Sequence, residues 1–389
     1  ALGIRLAPYV LLYGALYAGW GVLSPFLPAV LAGQGAGAEQ IGLLLGLALA
    51  MRLLAMPAAG VLADRLRAPR QVLSALLAAA AGLALGFQMA EGFAGLLLVC
   101  LAHAVACGPL GPLPDALAVE AARRRQPGGR IDYGVVRGAG AAAFIAGTAL
   151  TGPAIGSVGS LAGVLWANAL CFALAAGIAL RVPVAPVAMS VGQVARSPVR
   201  MVLRQSGFRR LLLVAGLIQG SHAFYGAFAT LRWQAAGLSP GTIGLFWSVA
   251  VSAEVFVFLV LGRRLLRWLG PGRLCAVAAG AGVLRWSVMA ETTWLPAMLL
   301  MQPLHGLTFA AQHLAAMALI ARAVPARQSA TAQALYATFG VGFAGAALTV
   351  LSGPLYAWLG AGGFWAMALL CAAAVPTALG LRAAEPAAA

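Results

Sequence analysis

One carboxylate interrupts an otherwise apolar stretch: Glu254, between Thr242 and Gly262, nine residues before the Arg263-Arg264 pair. A run of that length crosses a bilayer. A carboxylate inside hydrocarbon costs roughly 2.5–3.5 kcal/mol on insertion scales, so it must face a partner or a polar space and marks a functional site by default. Further charges lie inside apolar runs: Arg52, Asp115, Glu120, Arg137 and Arg285. At 1.5 Å per residue, Asp115 lies roughly 12 Å above the Arg123 cluster and Arg137 roughly 10 Å above Arg130, so both share a depth on adjacent antiparallel spans. Glu254 lies roughly 13 Å above Arg263 and Arg285 roughly 18 Å above Arg273, close enough for long side chains to meet. Glu120, three residues from Arg123, fits a solvated helix end as well as a site.

A second signal is the polar run Gln302, His305, Thr308, Phe309 and Gln312, spaced by three and four on one helical face, with His313 flanking it. A polar stripe on an apolar helix must look away from lipid, and Pro303 with Gly306 lets the helix bend there. His103 and His222, outside such a stripe, read as packing or hydrogen-bonding residues. The charge tally favours an anionic ligand: Arg52, Arg137 and Arg285 oppose Asp115, Glu120 and Glu254, and protonating Glu254 leaves positive charge in excess. Arginine's planar fork matches a carboxylate. Aromatic residues at helical spacing, Tyr13, Tyr17 and Trp20, together with Phe144, Tyr225, Trp247 and Phe258, could hold an apolar body such as a phenyl ring. About half of such aromatics serve instead as interface anchors or packing.

The elements that position these residues follow from composition. With 62% hydrophobic and 9% charged residues, the chain has too little polar surface to cover itself in water. Twelve apolar runs occur, at about 8–31, 40–62, 71–90, 93–120, 132–153, 159–181, 209–231, 241–262, 274–290, 294–320, 329–357 and 362–381. Twenty-one arginines lie in the even-numbered joints and the tails, and one, Arg232, in the odd-numbered joints. Positive charge collects on cytoplasmic loops, which predicts a multi-pass protein with both termini cytoplasmic and needing no cleavable signal. The formal charge of +16 is therefore topological and gives no reason to expect nucleic acid. The polar, Arg-rich segment 183–207 reads as a cytoplasmic linker between two six-span bundles, 1–182 and 208–389. The five cysteines all fall inside spans without metal-ligand spacing and read as small packing residues. No nucleophile–base pair, metal set, cofactor motif or phosphate loop points to an enzyme.

Span 2 ends in Gly60-Val61-Leu62-Ala63-Asp64-Arg65-Leu66-Arg67-Ala68-Pro69-Arg70, and span 8 ends in a degraded counterpart, Gly262 to Arg273. The G-x-L-A-D-R motif at that joint, with six plus six spans, resembles the major facilitator superfamily over the whole chain. The resemblance implies an all-α membrane protein with the major facilitator fold, two pseudo-symmetric six-helix bundles. It also implies alternating access, with Gly60, Asp64, Arg65 and Arg70 forming a conformational latch. Trp247 to Glu254 and the Gln302 to Phe309 run, with Gly21 to Pro28 and Glu39 to Leu44, are similar to the phenylpropionate permease branch, itself related to lactose permease. That likeness implies Glu254 as the proton-linked acid, Arg285 and His305 as its coupling partners, and Arg137 as the substrate arginine. Two departures weaken a disaccharide substrate. Thr308 stands where lactose permease has a second proton carboxylate, and Phe144 stands where it has a sugar-stacking tryptophan.

The expected function is proton-coupled symport of a small aromatic monocarboxylate across a bacterial inner membrane, by a monomer. Glu254, Arg285 and His305 handle the proton. Arg137, Asp115, Glu120, Phe144, Arg52, Tyr13, Tyr17, Trp247, Gln302, Thr308, Phe309 and His313 line the substrate path, the carboxylate resting on Arg137 or Arg285. An efflux antiporter, then a sugar or nucleoside symporter, are the alternatives.

Overall fold

The computed structural model describes residues 2–123, 132–183, 199–325 and 328–381, and every regular element in them is helical. The first stretch holds α1 (Leu2–Leu23), α2 (Leu27–Gly33), α3 (Ala38–Leu66), α4 (Pro69–Gly86), α5 (Gly92–Cys107) and α6 (Pro112–Arg123). The next holds α7 (Tyr133–Val158) and α8 (Ala162–Ala179). After them come α9 (Val199–Arg204), α10 (Ser206–Gly220), α11 (His222–Ala235), α12 (Pro240–Phe256), α13 (Gly262–Glu291), α14 (Leu295–Met301), α15 (Gln312–Ala323), α16 (Ser329–Leu335), α17 (Ala344–Leu359) and α18 (Gly363–Leu379). Three π-helical turns, Val257–Leu261, Gly306–Ala311 and Tyr336–Phe343, interrupt the second half. Of the expected linker, residues 184–198 lie outside the described residues, as do Arg124, Arg125, Arg130, Arg327 and Arg382.

Among the described residues, ten helical stretches are long and apolar enough to cross a membrane. The longest two, of 52 and 49 residues, are each long enough for two crossings, so twelve crossings fit. The first turns at Gly270, whose φ of 69° is left-handed. The second turns at Gly360, with φ of 53°. Apart from glycines, only Arg67 among the described residues has positive φ, 50°, where it caps α3 just before Pro69 opens α4. Large apolar side chains such as Leu54, Leu98, Leu150, Leu259, Leu300 and Leu369 point outward, the pattern of a surface solvated by lipid.

Contacts divide the chain into two units, Ala1–Met189 with Gly237–Ser248, and Ser190–Ala236 with Val249–Ala389. In the first, Tyr9, Leu12, Tyr13 and Leu16 repeat at helical spacing along α1 and share a core with Leu73 and Leu77 of α4 and Phe172 and Ala175 of α8. Helix α1 lies so close to α7 that a Cβ on Gly21 would sit 2.2 Å from the Phe144 carbonyl oxygen. In the second, Phe208, Leu211 and Val214 of α10 share a core with Leu274 and Cys275 of α13 and Ala374 of α18.

Candidate functional site

In the second unit, Glu254 lies 3.3 Å from His305, Oε2 to Nε2. The other ring nitrogen, Nδ1, lies 3.0 Å from an Arg285 guanidinium nitrogen, and Arg285 also donates to Gln302 Oε1 at 3.1 Å. Tyr225 donates to the same Gln302 oxygen at 3.0 Å. The Arg285 guanidinium is fully buried, stacked 4.4 Å from the Tyr225 ring centroid and 4.5 Å from that of Trp286. The sequence leads one to expect Glu254 and Arg285 to meet; instead His305 stands between them, and among the described residues no carboxylate comes within 4.0 Å of Arg285.

This arrangement settles where the hydrogens sit. An arginine can only donate, so Nδ1 of His305 accepts and Nε2, the nitrogen 3.3 Å from the Glu254 carboxylate, carries the ring hydrogen. A second proton on His305 would set two donors against each other at Nδ1. In this arrangement a proton can go to the Glu254 carboxylate while the His305–Arg285 contact stays intact.

Local chain geometry produces this register. Pro303 lacks an N–H, and the turn there tightens, with His305 N bonded to the Gln302 carbonyl and Gly306 N to that of Pro303. Gly306 then allows α12 to approach, since a Cβ there would fall 2.7 Å from the Ala253 carbonyl oxygen. The wide π-helical turn that follows shifts the helical phase, so the expected single stripe is split. Gln302, His305, Thr308 and Phe309 belong to the cluster, Thr308 bonding His222 at 2.9 Å and Phe309 stacking on His305 at 5.4 Å. Gln312 is buried and turned toward Cys275 of α13, and His313 packs against Phe258 and Tyr336.

In the first unit, Asp115 of α6 and Arg137 of α7 form an ion pair of 3.5 Å. The same Asp115 oxygen, Oδ1, accepts from the hydroxyls of Tyr13 and of Tyr133, the latter at 3.0 Å. One guanidinium nitrogen of Arg137, NH1, serves both Asp115 and the Tyr17 hydroxyl. Among the described residues the Nε–NH2 edge of Arg137 has no hydrogen-bond partner, and the side chain is 44% exposed. Tyr13 stacks on Tyr17, and Tyr17 meets Trp20 edge-on at 4.9 Å, so an aromatic wall adjoins the guanidinium. Gly140 admits that wall, because a Cβ there would meet the Tyr17 and Tyr13 rings at 3.1–3.3 Å.

Other expected residues lie elsewhere. Glu120 is partly buried five residues beyond Asp115, roughly 140° around α6 and so off the Asp115 face. Phe144 is partly buried on α7. Trp247 is partly buried on the stretch of α12 that groups with the first unit. Arg52 of α3 is near the buried His103–Cys107 pair and makes no bond to Asp115 or Arg137. Asp64 makes no ion pair with Arg65 or Arg70 among the described residues, and Gly60 has open space around it. Sequence reasoning passed over Tyr133 and Trp286, and it read His222 as a packing or hydrogen-bonding residue without placing it in the cluster. His222 lacks a polar stripe on its own helix, and only packing brings it beside Thr308.

A helical chain with ten membrane-length apolar stretches among the described residues and a charge cluster inside each of its two contact units has the make-up of a membrane transporter of the major facilitator class. The chain belongs to the MFS_1-like family, whose profile matches residues 6–367. It is 35% identical over 366 residues to the probable 3-phenylpropionic acid transporter of Escherichia coli (strain K12), covering 92% of this chain and 93% of that one. It is 26% identical over 352 residues to a maltose permease of Geobacillus stearothermophilus, 90% and 88% covered. Among solved structures, the nucleoside transporter NupG superposes with a TM-score of 0.81 over 97% of this chain and 98% of its own, at 16% identity, and so shares the fold. This protein is a multi-pass transporter of a small molecule, and it is not an enzyme.

Proposed function

We propose that the protein takes up a small aromatic monocarboxylate, of the 3-phenylpropionate kind, together with one proton, across a bacterial inner membrane with both termini cytoplasmic, as a monomer. The observation that carries the reading is the chain Glu254–His305–Arg285, in which an imidazole links a carboxylate to a buried guanidinium that lacks a direct counter-charge. Its resting charges cancel, so a proton on Glu254 leaves one net positive charge in a medium that tolerates it poorly, and a substrate anion entering in the same step restores balance.

Of the two arginines considered for the carboxylate, Arg285 is sealed, whereas Arg137 offers an uncommitted two-donor edge beside Tyr17 and Trp20. A carboxylate on that edge with a phenyl ring against the aromatic wall uses both features. Asp115, gripped by two tyrosine hydroxyls, holds the other edge of Arg137 in place. The relative from Escherichia coli supports this substrate class by its name.

The test is to add 3-phenylpropionate to vesicles carrying the protein in weakly buffered medium. Symport makes the medium more alkaline as substrate enters. Acidification would indicate proton antiport and export, and absence of both binding and proton movement would remove the substrate assignment.

A further inference from the structure

His222 opens α11 and has no part in the scheme above, yet it is the second imidazole of the same cluster. Its Nδ1 lies 3.1 Å from the Ile218 carbonyl oxygen and its Nε2 2.9 Å from Thr308 Oγ1. A carbonyl only accepts, so Nδ1 carries a hydrogen; in the neutral ring Nε2 is then the acceptor of the Thr308 hydroxyl, whose other acceptor, the His305 carbonyl oxygen, lies farther away at 3.4 Å. The two rings thus hold opposite tautomers, His305 with its hydrogen on Nε2 and His222 with its hydrogen on Nδ1. Their centroids are 5.3 Å apart at 71°, and Phe309 stacks on His305 at 5.4 Å and 17°. His305 is therefore flanked by an edge-on ring and a parallel one, and a rotation that moves Nε2 away from Glu254 displaces one of them.

We propose that His222 is a positioning residue: through Ile218 and Thr308 it fixes the heading of the His305 imidazole and so confines the moving proton to Glu254. The inference rests on the proton-coupled reading above. The charged and titratable groups around His222 are Arg285 of α13 and His305, with Tyr225 one turn along α11 and the Cys371 thiol of α18 against the adjoining Ser221, while Glu254 of α12 lies against His305. With one buried guanidinium already present and the single carboxylate engaged by His305, a further cation on His222 has nothing to offset it. His222 orients; it does not carry the proton.

Glutamine can copy this role, its amide N–H donating to Ile218 and its amide oxygen accepting from Thr308, while leucine fills the space without either bond. The pH midpoint of 3-phenylpropionate-driven proton uptake is expected to be unchanged in His222→Gln. It is expected to move up by about one pH unit in His222→Leu, where the His305 N–H is no longer aimed at the carboxylate. Thr308→Val, which removes only the hydroxyl, is expected to shift it the same way, and this keeps the test open if His222→Leu fails to fold. Loss of coupling in His222→Gln would make His222 a carrier and overturn the proposal. Wild-type profiles in both His222→Leu and Thr308→Val would reduce the ring to packing and overturn it equally.

An infrared titration of the Glu254 carboxyl band, assigned with Glu254→Gln, needs no substrate. If the wild type moves no protons with 3-phenylpropionate but this band still shifts in the Leu and Val variants and not in Gln, the transport reading fails and the positioning role stands.

Discussion

Replacing Glu254 by Gln is the sharpest perturbation this structure offers. The amide oxygen of glutamine can still face His305 Nε2, now 3.3 Å from the carboxylate, so the cluster keeps its shape while losing the carboxylate. One carboxylate means one proton per substrate, and one proton per substrate means that each pH unit of gradient, worth about 1.4 kcal/mol, sustains about tenfold accumulation. A monocarboxylate anion with one proton carries no net charge, so a membrane potential, worth about 2.3 kcal/mol per charge per 100 mV, adds nothing. In vesicles with an alkaline interior, labelled 3-phenylpropionate is expected to accumulate about tenfold per pH unit with the wild type, independent of an imposed potential. With Glu254→Gln the ratio falls to one, while exchange of internal for external substrate continues because the arginine site is intact. Uphill uptake at the wild-type ratio in the Gln variant would refute the assignment of the proton to Glu254. Accumulation that grows with membrane potential would refute the one-proton count.

Other substitutions test the remaining parts. Arg137→Ala removes two charge-assisted hydrogen bonds to the substrate and is expected to weaken 3-phenylpropionate binding by about a hundredfold in calorimetry, with Arg137→Lys recovering part of it. Asp115→Asn keeps the shape but drops the charge that holds Arg137. It is expected to raise the apparent KM in uptake assays far more than it changes the maximal rate. Gly306→Ala would push the π-helical turn away from Ala253 and separate His305 from Glu254, so coupling measured by substrate-driven proton uptake falls while calorimetric binding persists. Gly21→Ala places a methyl 2.2 Å from the Phe144 carbonyl oxygen and is expected to destabilise by about 1–3 kcal/mol, seen as a lower Tm in detergent.

Much of this protein was legible in the order of its residues. Bilayer thickness imposes a length on every apolar run, so the crossings are countable along the chain, and the two that merge into longer helical stretches are still separable at Gly270 and Gly360. The cost of charge in hydrocarbon picked out Glu254, Arg285, Asp115 and Arg137 before any contact was known. Depth along the helix axis brought Asp115 and Arg137 to the same level, and they pair at 3.5 Å. Tertiary structure decided what depth cannot, namely which side of each helix faces which neighbour. A helix turned by one π-helical step moves its next residues off the face a regular spacing assigns, which is why Gln312 left the stripe that holds His305. Only the packing of α11 against that turn brought His222 to Thr308, and only the insertion of His305 between Glu254 and Arg285 converted an expected ion pair into a chain of three groups. Hydropathy is a property of single residues summed along a line, whereas hydrogen-bond partners depend on the rotation and approach of whole helices.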